Sequence, residues 1–172
     1  RDIKPDNILV TAEGNLKLTD FGLSRQGVVN RQISESEDIN AEPEIVGTLD
    51  YMAPEILLNK EHSFAVDYWS LGVMLYEFLI GVPPFHADTE EETTANILKF
   101  KVIYEEDDEV SPEARDIIAK LLDPNPSTRL GAKDIDEIVN HPWLRGIDLE
   151  TAEPPFKPDL KSSTDVSFFQ ER

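Results

Sequence analysis

Four polar side chains near the start of the chain have the types and spacing needed to hold a metal-bound triphosphate beside a hydroxyl group. Asp2, Lys4 and Asn7 lie in one short stretch, and Asp20 follows after two apolar runs. A carboxylate such as Asp2 can accept the proton of an attacking hydroxyl, and the Lys4 ammonium can neutralise phosphate oxygens. The oxygens of Asn7 and Asp20 are ligands of the kind that Mg²⁺ shares with phosphates. The predicted chemistry is phosphoryl transfer, in which a protein positions the reactants and neutralises charge.

Two short apolar runs join the halves of this predicted site. Ile8–Val10 and Leu16–Leu18 have the length and composition of β-strands, and residues 12–15 between them contain a turn-forming Gly-Asn pair. We therefore expect a hairpin that brings Asn7 and Asp20 side by side.

Three short motifs then give a more specific indication. They are Arg1-Asp2-x-Lys4-x-x-Asn7, Asp20-Phe21-Gly22 and Ala53-Pro54-Glu55. Together they resemble the catalytic loop, the metal loop and the end of the activation segment of eukaryotic protein kinases. The second motif alone would be weak evidence, since such a tripeptide also occurs in ordinary turns, but three motifs in this order are specific. The resemblance implies ATP and Mg²⁺ as cofactors.

Two later segments extend the resemblance. The segment 67–72 is similar to one whose aspartate, here Asp67, caps the backbone of the kinase catalytic loop. Arg129 resembles the arginine that pairs with the glutamate of the Ala-Pro-Glu motif, here Glu55. Arg1, Glu55, Asp67 and Arg129 are thus implied to support the site rather than to do chemistry. From its residue type alone, Arg129 could equally be an exposed arginine in a loop.

Within the kinases, the chain resembles the AGC group, and inside it the microtubule-associated, greatwall-like and plant root-hair serine/threonine kinases. Leu49 departs from the pattern, because the group usually has proline there. The segments that carry this resemblance are Gly47–Met52, Leu75–Phe85, Asn140–Trp143 and Ser163–Phe169.

The fold class implied is a protein-kinase-like α+β fold, of which this chain is the mainly α-helical carboxyl-terminal lobe with a small β-hairpin. In the family, the glycine-rich phosphate loop and its associated lysine and glutamate precede the Arg-Asp motif, with which this chain begins. We therefore expect a piece of a larger protein, to which any activity belongs. Residues 1–144 are predicted to be an incomplete kinase domain, and residues 145–172 an AGC-like carboxyl-terminal extension.

Composition narrows the classes of partner. With 35 acidic against 16 basic residues, the formal net charge is -19, which argues against nucleic-acid binding and favours basic substrates. The acidic runs 90–92 and 105–109 can also be read simply as solvated faces. The absence of cysteine excludes disulfides and thiol chemistry. No apolar run has the length of a membrane span, and we expect a cytoplasmic protein, with the nucleus as a second location.

Helix signals punctuate the rest of the chain. Helices are predicted over 54–58, 66–80, 91–100, from Ser111 to before Asp123, and over 134–140. The second is apolar on nearly every side, so Trp69 and Phe78 are predicted to be core residues. In the last, Asp134 is the expected N-cap and Glu137 the expected partner of a capping box.

The segment 26–45 is polar, contains Ser34 and Ser36, and occupies the place of a kinase activation loop; its composition predicts mobility. Glu44 stands where many AGC kinases carry an activating phosphothreonine. A carboxylate supplies less charge than a phosphate, and we expect Glu44 to substitute partly for it by pairing with Arg1, with an upstream kinase or regulator as a further partner. Glu44 can also be one more acid in an acidic loop.

Two residues are candidates for substrate binding. Thr48 resembles the threonine whose hydroxyl bonds to the catalytic Asp and Lys, which with Lys4 favours Ser or Thr as acceptor. Glu77 matches the glutamate that contacts arginine near the acceptor in the AGC group, and alternatively pairs only within the fold. The histidines are predicted to be ordinary surface or packing residues rather than metal ligands, since none lies near another: His62, His86 and His141.

Two other classes of function remain. One is a catalytically inactive kinase lobe that binds partners through its acidic surface; the intact Asp2, Lys4, Asn7 and Asp20 set argues against it. The other is a small-molecule kinase of related fold, which the Ala-Pro-Glu segment argues against. A glycine-rich loop with its lysine in the preceding sequence would decide against the first.

Overall fold

Helices and one small hairpin make up the part of the chain that the structure describes. The structure is a computed structural model, and it describes residues 2–22, 49–105, 108–149, 151–162, 165 and 167–168. The regular elements are β1 Ile8–Val10, β2 Leu16–Leu18, α1 Pro54–Leu57, α2 Ala65–Ile80, α3 Glu90–Lys99, α4 Pro112–Leu121 and α5 Asp136–Val139, with 3₁₀ turns at Pro5–Asn7, Leu49–Tyr51 and Pro142–Leu144. The predicted combination of mainly helical structure with a small antiparallel hairpin is confirmed.

The hairpin has the two predicted strands. β1 and β2 pair antiparallel, with Ile8 opposite Leu18 and Val10 opposite Leu16. At the turn, Gly14 has a φ of 89°, a left-handed conformation that favours glycine, and its amide donates to the Thr11 carbonyl at 2.9 Å. The hairpin and the residues just after it expose large apolar side chains, namely Leu9, Val10, Leu16, Leu18 and Phe21.

Helix α2 is the centre of the hydrophobic core. Trp69 is fully buried and its ring stacks on Phe85, with 5.6 Å between ring centroids. Gly72 lets α4 approach α2 closely, because a Cβ at Gly72 would lie 2.9 Å from the Leu121 Cβ. The buried apolar residues of this core include Val66, Trp69, Val73, Tyr76, Phe85, Ile97, Ile117, Ile118, Leu121 and Leu122.

The helix ends follow capping chemistry where the sequence supplies it. The Ser111 hydroxyl accepts from the Ala114 amide at 3.1 Å, and Pro112 occupies the first position of α4, as predicted. Thr89 caps α3 in the same way through the Glu92 amide. Helices α1, α2 and α3 lie within one residue of their predicted bounds.

Two local predictions were wrong. Phe78 is 59% exposed rather than buried, because it lies on a face of α2 that the described residues leave open. Helix α5 begins at Asp136 with Ile135 as its N-cap, and the Glu137 carboxylate accepts from the Gly131 amide at 3.0 Å instead of closing a capping box with Asp134. The Asp134 carboxylate accepts from the Asp136 amide at 2.9 Å, so it turns the chain just before the helix.

Three residues singled out in the sequence, Arg1, Glu44 and Thr48, lie outside the described residues. Across the described part of the chain, no helix is both long enough and apolar enough to cross a bilayer.

Candidate active site

In the first half of the candidate site, the Asp2 carboxylate contacts both Lys4 and Asn7. The Lys4 Nζ lies 3.2 Å from Asp2 Oδ2, and the Asn7 side-chain amide donates to the same oxygen at 2.9 Å. Asn7 also donates to the Asp2 carbonyl at 2.8 Å. The side chains of Asp2 and Lys4 are both mostly buried, so neighbouring residues rather than solvent surround this ion pair. The three residues that the sequence analysis grouped are therefore in direct contact.

A single 3₁₀ turn produces this arrangement. Pro5 opens the turn with the fixed φ that suits a first helical position, and the Asn7 amide donates to the Lys4 carbonyl at 3.0 Å. The chain therefore reverses direction within three residues, and the Asn7 side chain comes within hydrogen-bond distance of Asp2. Asn7 is buried, and because its Nδ2 is used twice towards Asp2, its Oδ1 is the atom that remains for a ligand.

The hairpin brings the second half of the site to the first. The Thr19 amide donates to the Asn7 carbonyl at 2.8 Å, immediately before Asp20. Asp20 has a φ of 55°, a left-handed conformation that aspartate tolerates better than most residues. Its Oδ1 accepts from the Gly22 amide at 3.2 Å, and the side chain is exposed. A carboxylate on a strained turn beside Asn7 is thus available to a ligand.

The donor set suits Mg²⁺ together with phosphate. Asn7 Oδ1 and the Asp20 carboxylate are hard oxygen ligands, and Mg²⁺ is bound through one or two such groups plus substrate phosphates and water. Among the described residues, no cluster of three or more His, Cys, Asp or Glu could hold a metal by itself. Asn7 and Asp20 fit a metal whose remaining ligands are phosphate oxygens and water.

Glu77 lies in the last turn of α2. The Tyr51 hydroxyl donates to the Glu77 carboxylate in a short hydrogen bond. Burial, followed by this hydrogen bond, raises the pKa of Tyr51. Glu77 therefore has the internal partner that the alternative interpretation required, although only one of its two oxygens is used by that bond.

A second acidic contact near Tyr51 was not found from the sequence. Asp50 Oδ1 and His86 Nδ1 are 2.9 Å apart, with the histidine exposed and the aspartate mostly buried. These residues are far apart in the chain, and no motif linked them. The other two histidines also have polar neighbours: His62 lies 3.2 Å from the Lys60 carbonyl and His141 lies 3.0 Å from Asp116.

Glu55 and Arg129 form a buried ion pair. Arg129 donates to both Glu55 oxygens, at 2.7 and 3.0 Å, so the predicted pairing is present. Arg129 also donates to the carbonyls of Ala65 at 2.8 Å and Asp123 at 3.0 Å, and its guanidinium lies 5.2 Å from the centre of the Trp69 ring. One side chain thus ties α1 to the start of α2 and to the loop after α4.

Asp67 lies in the first turn of α2, next to the residues that Arg129 holds. With Arg1 outside the described residues, the capping of the catalytic loop by Asp67 stays a prediction.

Comparison with known proteins identifies relatives over the whole chain. The family model described as Protein kinase domain matches residues 1–144. Probable serine/threonine protein kinase IRE4 of Arabidopsis thaliana is 42% identical over 195 residues, which cover 100% of this chain and 19% of that protein. Protein kinase C, eye isozyme, of Drosophila melanogaster is 42% identical over 178 residues, covering 99% of this chain and 24% of that protein.

This chain covers a larger share of a third relative. The probable cAMP-dependent protein kinase catalytic subunit of Encephalitozoon cuniculi is 44% identical over 164 residues, which are 92% of this chain and 47% of that protein. The chain spans less than half the length of each of these relatives.

Proposed function

This chain belongs to the protein kinase domain family, and from that membership we propose that it is the carboxyl-terminal lobe of a serine/threonine kinase that phosphorylates proteins. The observation that carries the proposal is the mutual contact of Asp2, Lys4 and Asn7, with Asp20 following directly after Thr19, whose amide bonds to the Asn7 carbonyl. All four are the residue types that phosphoryl transfer requires, and the plant relatives are serine/threonine kinases by name.

The residues have separate tasks in this mechanism. ATP with Mg²⁺, when bound, would supply the phosphoryl group that is transferred, with ADP as the leaving group. Asp2 would orient the acceptor hydroxyl and take its proton. Lys4, held 3.2 Å from Asp2, neutralises negative charge on the transferred group, and Asn7 with Asp20 would hold Mg²⁺. Glu55 and Arg129 form a buried ion pair that holds α1 against the start of α2.

We assign this activity to a longer protein of which residues 1–144 form the carboxyl-terminal lobe and residues 145–172 an extension of the AGC type. The exposed apolar side chains of the hairpin support this assignment, because a second lobe would cover them. The expected location is the cytoplasm, with the nucleus as a second one. We expect this chain alone neither to bind ATP measurably nor to phosphorylate a substrate.

For substrate choice, we propose that basic residues on the amino-terminal side of the acceptor Ser or Thr are preferred. Glu77 retains one oxygen beyond its bond to Tyr51, and Asp50 adds a second carboxylate nearby. A charge-assisted hydrogen bond from arginine to Glu77 would then select basic peptides. Peptide-array profiles of the longer protein test this, and a profile unchanged by Glu77→Gln would contradict it.

Regulation through Glu44 remains part of the proposal. If its carboxylate partly replaces an activating phosphate, the unphosphorylated protein has basal activity that Glu44→Gln removes. Equal turnover of the wild type and this variant without an added kinase would show that Glu44 is only one acid among many.

The decisive experiment compares turnover of the longer protein with that of its Asp2→Asn and Asp20→Asn variants. Asparagine keeps the shape of both side chains, and at position 20 its oxygen can still accept from the Gly22 amide, so folding should be preserved. Losing the positioned base or the metal ligand should lower kcat by about 10²-fold or more. Asp159→Asn, an exposed aspartate in the tail, is the matched control and should change nothing.

The same experiment distinguishes the rival function. A non-catalytic binding module would show no turnover in the wild type, and an Asp20→Asn variant with wild-type turnover would overturn the mechanism.

A further inference from the structure

A histidine is paired with a carboxylate next to the candidate substrate residue. His86 Nδ1 lies 2.9 Å from Asp50 Oδ1, and the two side chains are 58% and 18% exposed. An ionised carboxylate only accepts hydrogen bonds, so Nδ1 carries the proton and donates to Asp50. The imidazole is therefore the part of the pair that solvent reaches, and it occupies one oxygen of a carboxylate that is otherwise mostly buried.

The backbone on both sides of His86 is anchored. Phe85 is buried, and its carbonyl accepts from the Asn96 side chain at 3.3 Å. The Ala87 amide donates to the Thr93 hydroxyl at 3.1 Å. These contacts hold position 86 against the turn that carries the carboxylate, while the ring itself remains exposed. A change in the side chain at this position can therefore alter the pair without disturbing the core.

Asp50 acts on the same tyrosine as Glu77. The Tyr51 hydroxyl donates to the Glu77 carboxylate. Burial is the main cause that raises the pKa of Tyr51, and the negative charges of Glu77 and Asp50 add to it. Because the interaction between charges weakens with distance, both carboxylates must lie near the Tyr51 hydroxyl. A cation that is attracted to Glu77 is therefore also influenced by the charge of the Asp50–His86 pair.

The other titratable groups that the structure describes around this pair are carboxylates, a tyrosine and a lysine. They are Glu77 and Tyr51 towards α2, Glu90, Glu91 and Glu92 in the first turn of α3, and Asp88 and Lys99, which line a cavity together with Glu92. Carboxylic acids ordinarily titrate well below pH 6, and tyrosine and lysine ordinarily titrate above pH 8, whereas histidine titrates between these limits. Lowering the pH from 8 to 6 therefore adds positive charge here mainly at His86.

We propose that His86 is a specificity-determining residue whose protonation weakens the binding of basic peptides at Glu77 and Asp50. This inference rests on the proposed preference for basic substrates. When the imidazole is neutral, both carboxylates attract a guanidinium group. When it is protonated, it neutralises Asp50 and repels the incoming cation. Arginine stays charged over this range of pH, so the change in affinity comes from the protein and not from the peptide.

The test is fluorescence anisotropy of a labelled peptide, acetyl-Arg-Arg-Gly-Ala-Ser-Gly, with the full chain. Acetylation removes the α-amino group, which would otherwise titrate in the same range. We expect the Kd to be about fivefold higher at pH 6 than at pH 8, the effect of one additional charge near a protein surface. His86→Gln stays neutral and should bind at both pH values as the wild type does at pH 8. His86→Lys stays cationic and should bind at both as the wild type does at pH 6.

Two controls separate this effect from a general effect of pH. His62→Gln removes a histidine that lies beside the Lys60 carbonyl instead, and it should keep the pH dependence of the wild type. A peptide with Gln-Gln in place of Arg-Arg should bind more weakly and without this pH dependence.

The proposal is overturned if the wild type binds the arginine peptide equally at both pH values or at neither. It is also overturned if the pH dependence persists in His86→Gln, or if His86→Lys binds as tightly as His86→Gln. None of these measurements needs ATP or turnover. A longer protein without turnover would refute the kinase proposal, whereas an unchanged pH dependence in His86→Gln would refute this inference alone.

Discussion

Replacing Glu55 should reveal how strongly the buried ion pair holds the fold together. The side chains of Glu55 and Arg129 are only 4% and 0% exposed, and the guanidinium makes two hydrogen bonds to the carboxylate. In Glu55→Gln the shape is kept, but the Arg129 cation stays in the interior without its counterion. Two carbonyls still accept from it, which limits the loss but does not neutralise the charge.

The magnitude follows from what remains buried. Removing one partner of a buried ion pair typically costs about 3–5 kcal/mol, because the other charge is left uncompensated. Since domains of this size are stable by only about 5–15 kcal/mol, the variant should lose a large fraction of its stability. With the two carbonyl bonds retained, we expect a loss near the lower limit, about 3 kcal/mol.

Urea unfolding of the full chain, followed by tryptophan fluorescence, measures this loss. Trp69 lies beside Arg129, so its emission reports directly on this region. The matched control is Lys120→Met, which removes one cation from the exposed Asp116–Lys120 pair. Exposed pairs of this i,i+4 type contribute about 0.3–0.5 kcal/mol, so the control should be nearly silent.

Two outcomes would refute this reasoning. A Glu55→Gln variant within about 1 kcal/mol of the wild type would mean that the pair offers no more than a surface pair does. A similar loss in Lys120→Met and Glu55→Gln would mean that burial does not set the magnitude.

Two further predictions concern pH. The hydrogen bond from Lys120, with a smaller contribution from His141, holds the pKa of Asp116 below its ordinary value; its stabilisation is therefore present above about pH 4 and lost as pH falls below that. Asp116→Asn should flatten the acid limb of a stability-against-pH curve measured by circular dichroism, and an unchanged limb would contradict this. Burial, followed by the charge of Tyr76, raises the pKa of Tyr104 to about 12, so stabilisation is present below about pH 10 and lost between about 10 and 12. Tyr104→Phe should lessen the alkaline loss of stability, and absorbance at 295 nm should show one fewer late-titrating tyrosine in this variant than in the wild type.

The placement of Asp2, Lys4, Asn7 and Asp20 was predictable because it depends on residues that are close together in the chain. The turn that Pro5 opens brings the Asn7 side chain to Asp2. A hairpin of two three-residue strands, joined by a Gly-Asn turn, then leads the chain back to Asp20. Each step depends on residues within a few positions of one another, where turn chemistry and strand composition are informative. The α4 helix was predictable for the same reason, since Ser111 caps it through the Ala114 amide.

The predictions failed where contacts between residues far apart in the chain decide the structure. Helix α2 is apolar on nearly every side, so periodicity could not show that the face carrying Phe78 is left open. At α5, the sequence pattern suited a capping box, but the Gly131 amide competed for the Glu137 carboxylate. The Asp50–His86 contact joins residues from separate segments, for which no local pattern exists.

The surroundings of Glu77, the candidate substrate residue, show that an arrangement of residues from separate segments can still be well defined. Ser70 and Glu77 are seven residues apart, two helical turns, so they lie on the same face of α2 about 10 Å from each other. The Ser70 hydroxyl donates to the Tyr51 carbonyl at 2.8 Å, while Glu77 accepts from the Tyr51 hydroxyl. Tyr51 is thus held at its backbone and at the tip of its side chain by one face of α2. Because Trp69 fixes α2 in the core, the position of the turn Leu49–Tyr51 is set by the packing of that core.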